Sequence, residues 1–162
     1  MGADLYIEKI HQPLFEKYQP MFEAAVRQRD RLPRGSAEAE VAQALVEKYY
    51  DRMFADGYFR DSYNVTGVLR RLGLSWWRDV VPLCTKAHKL RQDKLRTFRE
   101  MVTRAPLHLP TKEELQNEHA RVTEAGEDSL EAWHRHYRER RDQLLAFLDQ
   151  ALALNTHIRC SL

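Results

Sequence analysis

The sequence predicts an all-α protein, a single domain over residues 1–162 arranged as a bundle of six to seven helices. Three observations lead there. Every long segment repeats its apolar residues at steps of three and four, the helical period. No segment reads as the period-two alternation of a half-buried strand. Several boundaries carry capping side chains or a terminating glycine.

Leu14, Tyr18, Met21, Phe22, Ala25 and Arg29 predict a first helix over residues 14–31, in which Pro20 should kink or split the chain. The Leu32-Pro33-Arg34-Gly35 turn ends it. Ser36 caps a second helix running to about Asp56, with Glu38 and Glu40 near its positive end and Gly57 as terminator. Residues 57–64, GYFRDSYN, have no period and read as a connecting loop. Asn64 is expected to cap a short helix to Leu72, and Ser75 another to about Ala87 that contains Pro82. A fifth helix covers residues 90–104, with Leu95, Phe98, Met101 and Val102 facing inward. Thr111 and Glu114 form a capping box for a sixth that ends near Gly126. Asp128 is expected to cap the last helix, residues 129–154, whose seam is Leu130, Trp133, Tyr137, Leu144, Leu148 and Ala151. A helix that long needs a long partner, and residues 36–56 with the N-terminal helix are the expected one; the shorter helices then lie across one end.

Composition bounds the function classes. A hydrophobic share of 43% with 31% charged residues is that of a globular chain with a real core. No apolar run suits a membrane helix, and the N-terminus does not read as a secretory signal. Cys84 and Cys160, far apart in sequence, match no metal or redox spacing, so reduced thiols and a cytoplasmic location are expected. Asn64-Val65-Thr66 is a glycosylation sequon that such a location makes irrelevant. The net charge of +2 hides an asymmetry: residues 60–104 hold 11 Lys/Arg against 4 Asp/Glu, while both flanks are mildly acidic. Mutual complement between elements is the favoured reading; an anionic partner is the other.

Eight of sixteen aromatic residues fall within the 29 residues 49–77. Rings supply area and interleaved polar groups supply orientation, as a ligand pocket requires. The expected function is therefore non-enzymatic binding of a small organic ligand or a protein partner. Its candidate site residues are Tyr50, Tyr58, Arg60, Asp61, Tyr63, Asn64, Trp76 and Trp77, with Arg60 and Asp61 as polar anchors. Trp76 and Trp77 should point about 100° apart on a helix, so one of them should border a cleft, an interface or solvent.

Two alternatives compete. Residues 65–83 followed by the basic helix 90–104 resemble a helix-turn-helix with a phosphate-contacting neighbour, but Asp79 and Pro82 fall where the motif needs aliphatic and helical residues. Glu8…His11 and Glu131…His134, with Glu47, have the spacing of carboxylate-bridged metal bundles, yet two such pairs are near chance for this composition. Arg135, Arg138, Arg140 and Arg141 spread around the last helix and read as a solvated surface. Cys84 with His88 one turn later has the residue types of a thiolate pair, but a buried inert Cys is the favoured reading. No cofactor motif is present, and no catalytic or metal residue is assigned.

Overall fold

The computed structural model describes residues 2–63 and 66–162 and is mostly helical, but it contains a four-stranded antiparallel sheet. The fold is therefore α+β, and the all-α expectation is corrected. Strands β1 (Gly2–Tyr6), β2 (Tyr58–Ser62), β3 (Lys89–Leu90) and β4 (Ile158–Ser161) lie in the order β2-β1-β4-β3. In the β3–β4 pair Leu90 faces Ile158 and Lys89 faces Arg159. Ala3 and Leu5, Phe59 and Asp61, and Ile158 and Cys160 are buried alternately. Among the described residues no strand exceeds five residues, so each shows barely two cycles of alternation. Residues 57–64 also hold Gly, Asp and Asn, which are poor strand formers, and this disguised β2 as a loop.

The chain divides into two compact units: residues Tyr6–Tyr58, and residues Met1–Leu5 with Phe59–Leu162. The first is a hairpin of helices α1 (Glu8–Asp30) and α2 (Ala37–Met53). α1 starts six residues earlier than expected and runs through both Pro13 and Pro20. Ser36 caps α2 as read, its hydroxyl accepting from the Ala39 N–H at 3.1 Å. Rings pair in antiparallel order along the hairpin: Phe22 with Tyr50, Tyr18 with Tyr49, and Phe15 and His11 with Phe54. Gly57 closes it at φ +66°; an added Cβ would lie 2.7 Å from the Ile10 Cβ, so no larger residue fits.

The second unit holds the sheet with α3 (Val68–Arg71), α4 (Gln92–Arg104), α5 (Lys112–Asn117) and α6 (Leu130–Ala153). α6 packs against α4 and α3, and α2 against α1, which replaces the expected pairing of the last helix with residues 36–56. Leu95, Phe98 and Val102 of α4 are buried, as are Tyr137, Leu144, Phe147, Leu148 and Ala151 of α6. The Arg141 guanidinium donates to the carbonyls of Thr103 (2.9 Å) and Val102 (3.4 Å), satisfying orphan groups at the end of α4. The capping box of Thr111 and Glu114 is present, whereas α6 is capped by Ser129, one residue after the expected Asp128. The expected helix over residues 75–87 does not form. One π-helical turn (Trp76–Val80) and one 3-10 turn (Val81–Leu83) stand there, in keeping with Pro82, which removes a helical donor. Among the described residues no helix is long and apolar enough to cross a membrane.

Candidate functional site

Asp61, one of the two expected anchors, is a buried carboxylate at 2% exposure. It accepts from the N–H groups of Val68 (2.8 Å) and Leu69 (3.3 Å) at the start of α3, and from the Trp76 indole Nε1–H (2.9 Å). Three donors satisfy its buried oxygens and tie β2, α3 and the π turn together. Trp76 is itself buried and meets Phe98 edge-on. Trp77, its neighbour, is 59% exposed, and its ring lies 5.8 Å from that of Tyr63. These two rings with Leu74 and Arg70 border a hollow of about 270 Å³. Burial, and then the nearby Asp4 charge, raise the Tyr63 pKa above its usual value. Tyr50 and Tyr58 belong to the hairpin unit, where both rings pack on Phe54 (4.9 and 4.7 Å). Asn64, together with the cap and the sequon read there, lies outside the described residues.

A larger concavity lies within the sheet-containing unit. It encloses about 610 Å³, within the range of small-molecule sites. One wall is β1 and β2: Gly2, Arg60, Asp61 and Ser62, continued by Thr66. An added Cβ on Gly2 would stand 2.5 Å from the Asp61 carbonyl oxygen, so glycine lets β1 pass close to β2 there. The other wall is α6, whose Ala132, His136 and Arg140 repeat every four residues on one helical face, with Trp133 beside them. Glu127 and Asp128 close the end from which α6 starts.

The lining is anchored from behind. The Trp133 indole donates to the Arg121 carbonyl at 3.1 Å, and its ring stacks on the buried Tyr137 at 6.1 Å. The Arg140 guanidinium sits over the Phe59 ring at 4.3 Å and donates to the Arg60 carbonyl oxygen and to Gln143. Arg60 reaches Asp4 at 3.7 Å, and Asp128 reaches Arg121 at 3.5 Å. Burial, then the Arg140 charge, hold the His136 pKa below 6.5, so the ring is neutral at neutral pH. The charged residues of the lining change sign along the α6 wall of the cleft. Glu127 and Asp128 lie before its first turn, and Arg140 lies ten residues, roughly 15 Å, beyond the helix start at Leu130. Such a cleft can hold a flat or apolar body against Trp133 and an anionic group against Arg60 and Arg140.

The sequence drew attention to Arg60 and Asp61 but not to Trp133, His136 and Arg140 as their companions. The signal was present in α6, where a Trp, a His and an Arg share a face at helical spacing.

Glu131 is exposed on the first turn of α6, and His134 Nε2 lies 2.8 Å from the Pro110 carbonyl oxygen. Among the described residues no three His, Cys, Asp or Glu side chains converge on a point that could hold a metal. α3 is four residues long and a π turn follows it, so the second helix of a helix-turn-helix is missing. On α4 Arg99 pairs with Asp149 of α6 at 2.6 Å and Arg104 with Glu100 at 3.8 Å, an internal complement of charge. The two cysteines, by contrast, are brought side by side, with their sulfurs 3.8 Å apart. Comparison with protein-family models, with curated proteins and with solved structures found no match to this chain.

Proposed function

We propose that this protein binds, without transforming it, a small organic ligand that carries an anionic group and a flat or apolar body. The supporting observation is the cleft of about 610 Å³ whose lining includes Trp133 together with Arg60 and Arg140. Arg140 is held by its ring contact and its carbonyl partner, so binding costs little ordering of that side chain. Cysteine usage supports a cytosolic location for this activity.

A thermal-shift screen of flat carboxylates, phosphate esters, amines and neutral analogues tests the reading. A true ligand at about one hundred times its Kd stabilises the fold by roughly 2.7 kcal/mol. Anionic compounds should be the hits, and Trp133→Ala and Arg140→Gln should remove the response while remaining folded. Hits confined to amines, or full responses in both variants, would refute it.

The exposure of Trp77 beside Tyr63 favours a second reading, in which this surface receives a partner's side chain. Loss of a complex on Trp77→Ala, with ligand binding retained, would assign that role.

A further inference from the structure

Cys84 and Cys160 are 76 positions apart in the chain, yet their Sγ atoms lie within 3.8 Å. Cys160 stands on β4, where its N–H donates to the His88 carbonyl at 2.8 Å. The Thr85 N–H donates to the Lys89 carbonyl at 2.9 Å, closing the turn that carries Cys84 against that strand. Both thiols are free; Cys160 is buried and Cys84 half-buried. A disulfide brings its sulfurs to about 2.05 Å, so the pair has to close by roughly 2 Å, within reach of side-chain rotation.

The two thiols are not equivalent. The hydrogen bond with Cys160 lowers the Cys84 pKa despite burial, whereas the same bond and burial drive Cys160 far above the ordinary thiol range. Cys84 is therefore the thiolate-forming, solvent-reached member, and Cys160 holds its proton behind it. We propose that Cys84 and Cys160 form a dithiol site that a hydroperoxide oxidises to an intramolecular disulfide. In the first step the Cys84 thiolate attacks one peroxide oxygen and the O–O bond breaks. Cys84 becomes a sulfenic acid, and the departing hydroxide takes up the proton lost from Cys84, giving water. The Cys160 sulfur then attacks the Cys84 sulfur, the S–O bond breaks, and the hydroxyl leaves as water with the Cys160 proton. Two thiols supply two electrons and one hydrogen peroxide becomes two waters.

The test treats the full chain with stoichiometric hydrogen peroxide, blocks remaining thiols, and maps the peptides. Wild-type protein should lose both titratable thiols together, lose the mass of two hydrogens, and yield one linked peptide pair containing Cys84 and Cys160. Cys160→Ser should leave Cys84 as a sulfenic acid captured by dimedone, and Cys84→Ser should leave the Cys160 thiol intact at the same dose. Separate oxygen adducts on the two cysteines of the wild type, or a disulfide formed only between two chains, would overturn the proposal. So would oxidation of Cys160 in Cys84→Ser at the wild-type rate. Mapping of the wild type decides the matter even where a variant fails to fold.

Discussion

The helical hairpin and the cleft each gather aromatic rings, but they employ them differently. In the hairpin Tyr6, His11, Phe15, Phe54 and Tyr58 face one another at centroid distances of 4.7–6.4 Å. Rings that pack on rings stabilise a fold and leave little surface for a ligand. The cleft has two rings among its described lining residues, Trp133 and His136, which meet edge-on at 6.0 Å, backed by Tyr137 and accompanied by Arg60 and Arg140. Aromatic density marks the hairpin; two rings with acidic and basic residues on one lining mark the candidate site. Local density in sequence is thus a poor guide to binding, and mixed chemistry across distant segments is a better one.

The contrast can be broken most forcefully at Asp61, which lines the cleft but bonds inward. Asp61→Ala strands three buried donors, including the Trp76 indole, and should cost about 3 kcal/mol in urea unfolding. A cost under about 1 kcal/mol would mean the carboxylate is free to serve a ligand instead. Phe54→Ala should cost about 2 kcal/mol, less than for a fully buried ring because Phe54 is half-buried, since it removes the ring that Tyr50, Tyr58 and His11 share, and should leave ligand affinity unchanged. Arg60→Gln should do the reverse. Its guanidinium is exposed and stands 3.7 Å from the partly covered Asp4, so stability should move by less than about 1 kcal/mol. Affinity for an anionic ligand should fall about tenfold, or roughly 1.4 kcal/mol, by calorimetric titration.

The smallest effect concerns His136. Its folded pKa lies below 6.5, so as pH falls the unfolded chain takes up this proton first. The stability that the neutral ring contributes is complete above 6.5 and is lost as pH falls from there through the lowered pKa. His136→Gln should flatten that part of the stability profile. Protonation in the same window adds a positive charge beside Arg140, so affinity for an anion should rise on acidification in the wild type and not in the variant.

Part of the helical framework was legible because some helices state their own starts, whereas α1 and α4 begin without a capping side chain. Ser36 and the Thr111/Glu114 box were readable from side chains within one turn, and the buried faces of α4 and α6 follow the 3.6-residue period. The sheet was not, since its strands come from both ends of the chain and two interior pieces, each too short for alternation to stand out. Ala3 and Leu5 beside Ile158 and Cys160 were the available hints. The cleft suffered from the same separation. Arg60 and Arg140 meet across 80 positions, and nothing near either one announces the other. The Cys84–Cys160 pair shows the point again: spacing rules detect local motifs, whereas here β4 brings the second thiol across the fold.

The chain's three tryptophans report on three different surroundings: Trp76 on the Asp61 anchor, Trp77 on the exposed hollow, and Trp133 on the cleft. Their indole N–H signals in a proton–nitrogen correlation spectrum, followed during titration with a hit from the anionic screen, test the central claim directly. The Trp133 signal should move most, with Trp77 unchanged. Movement of Trp77 while Trp133 stays still would place the ligand at the exposed hollow and contradict the assignment of the cleft.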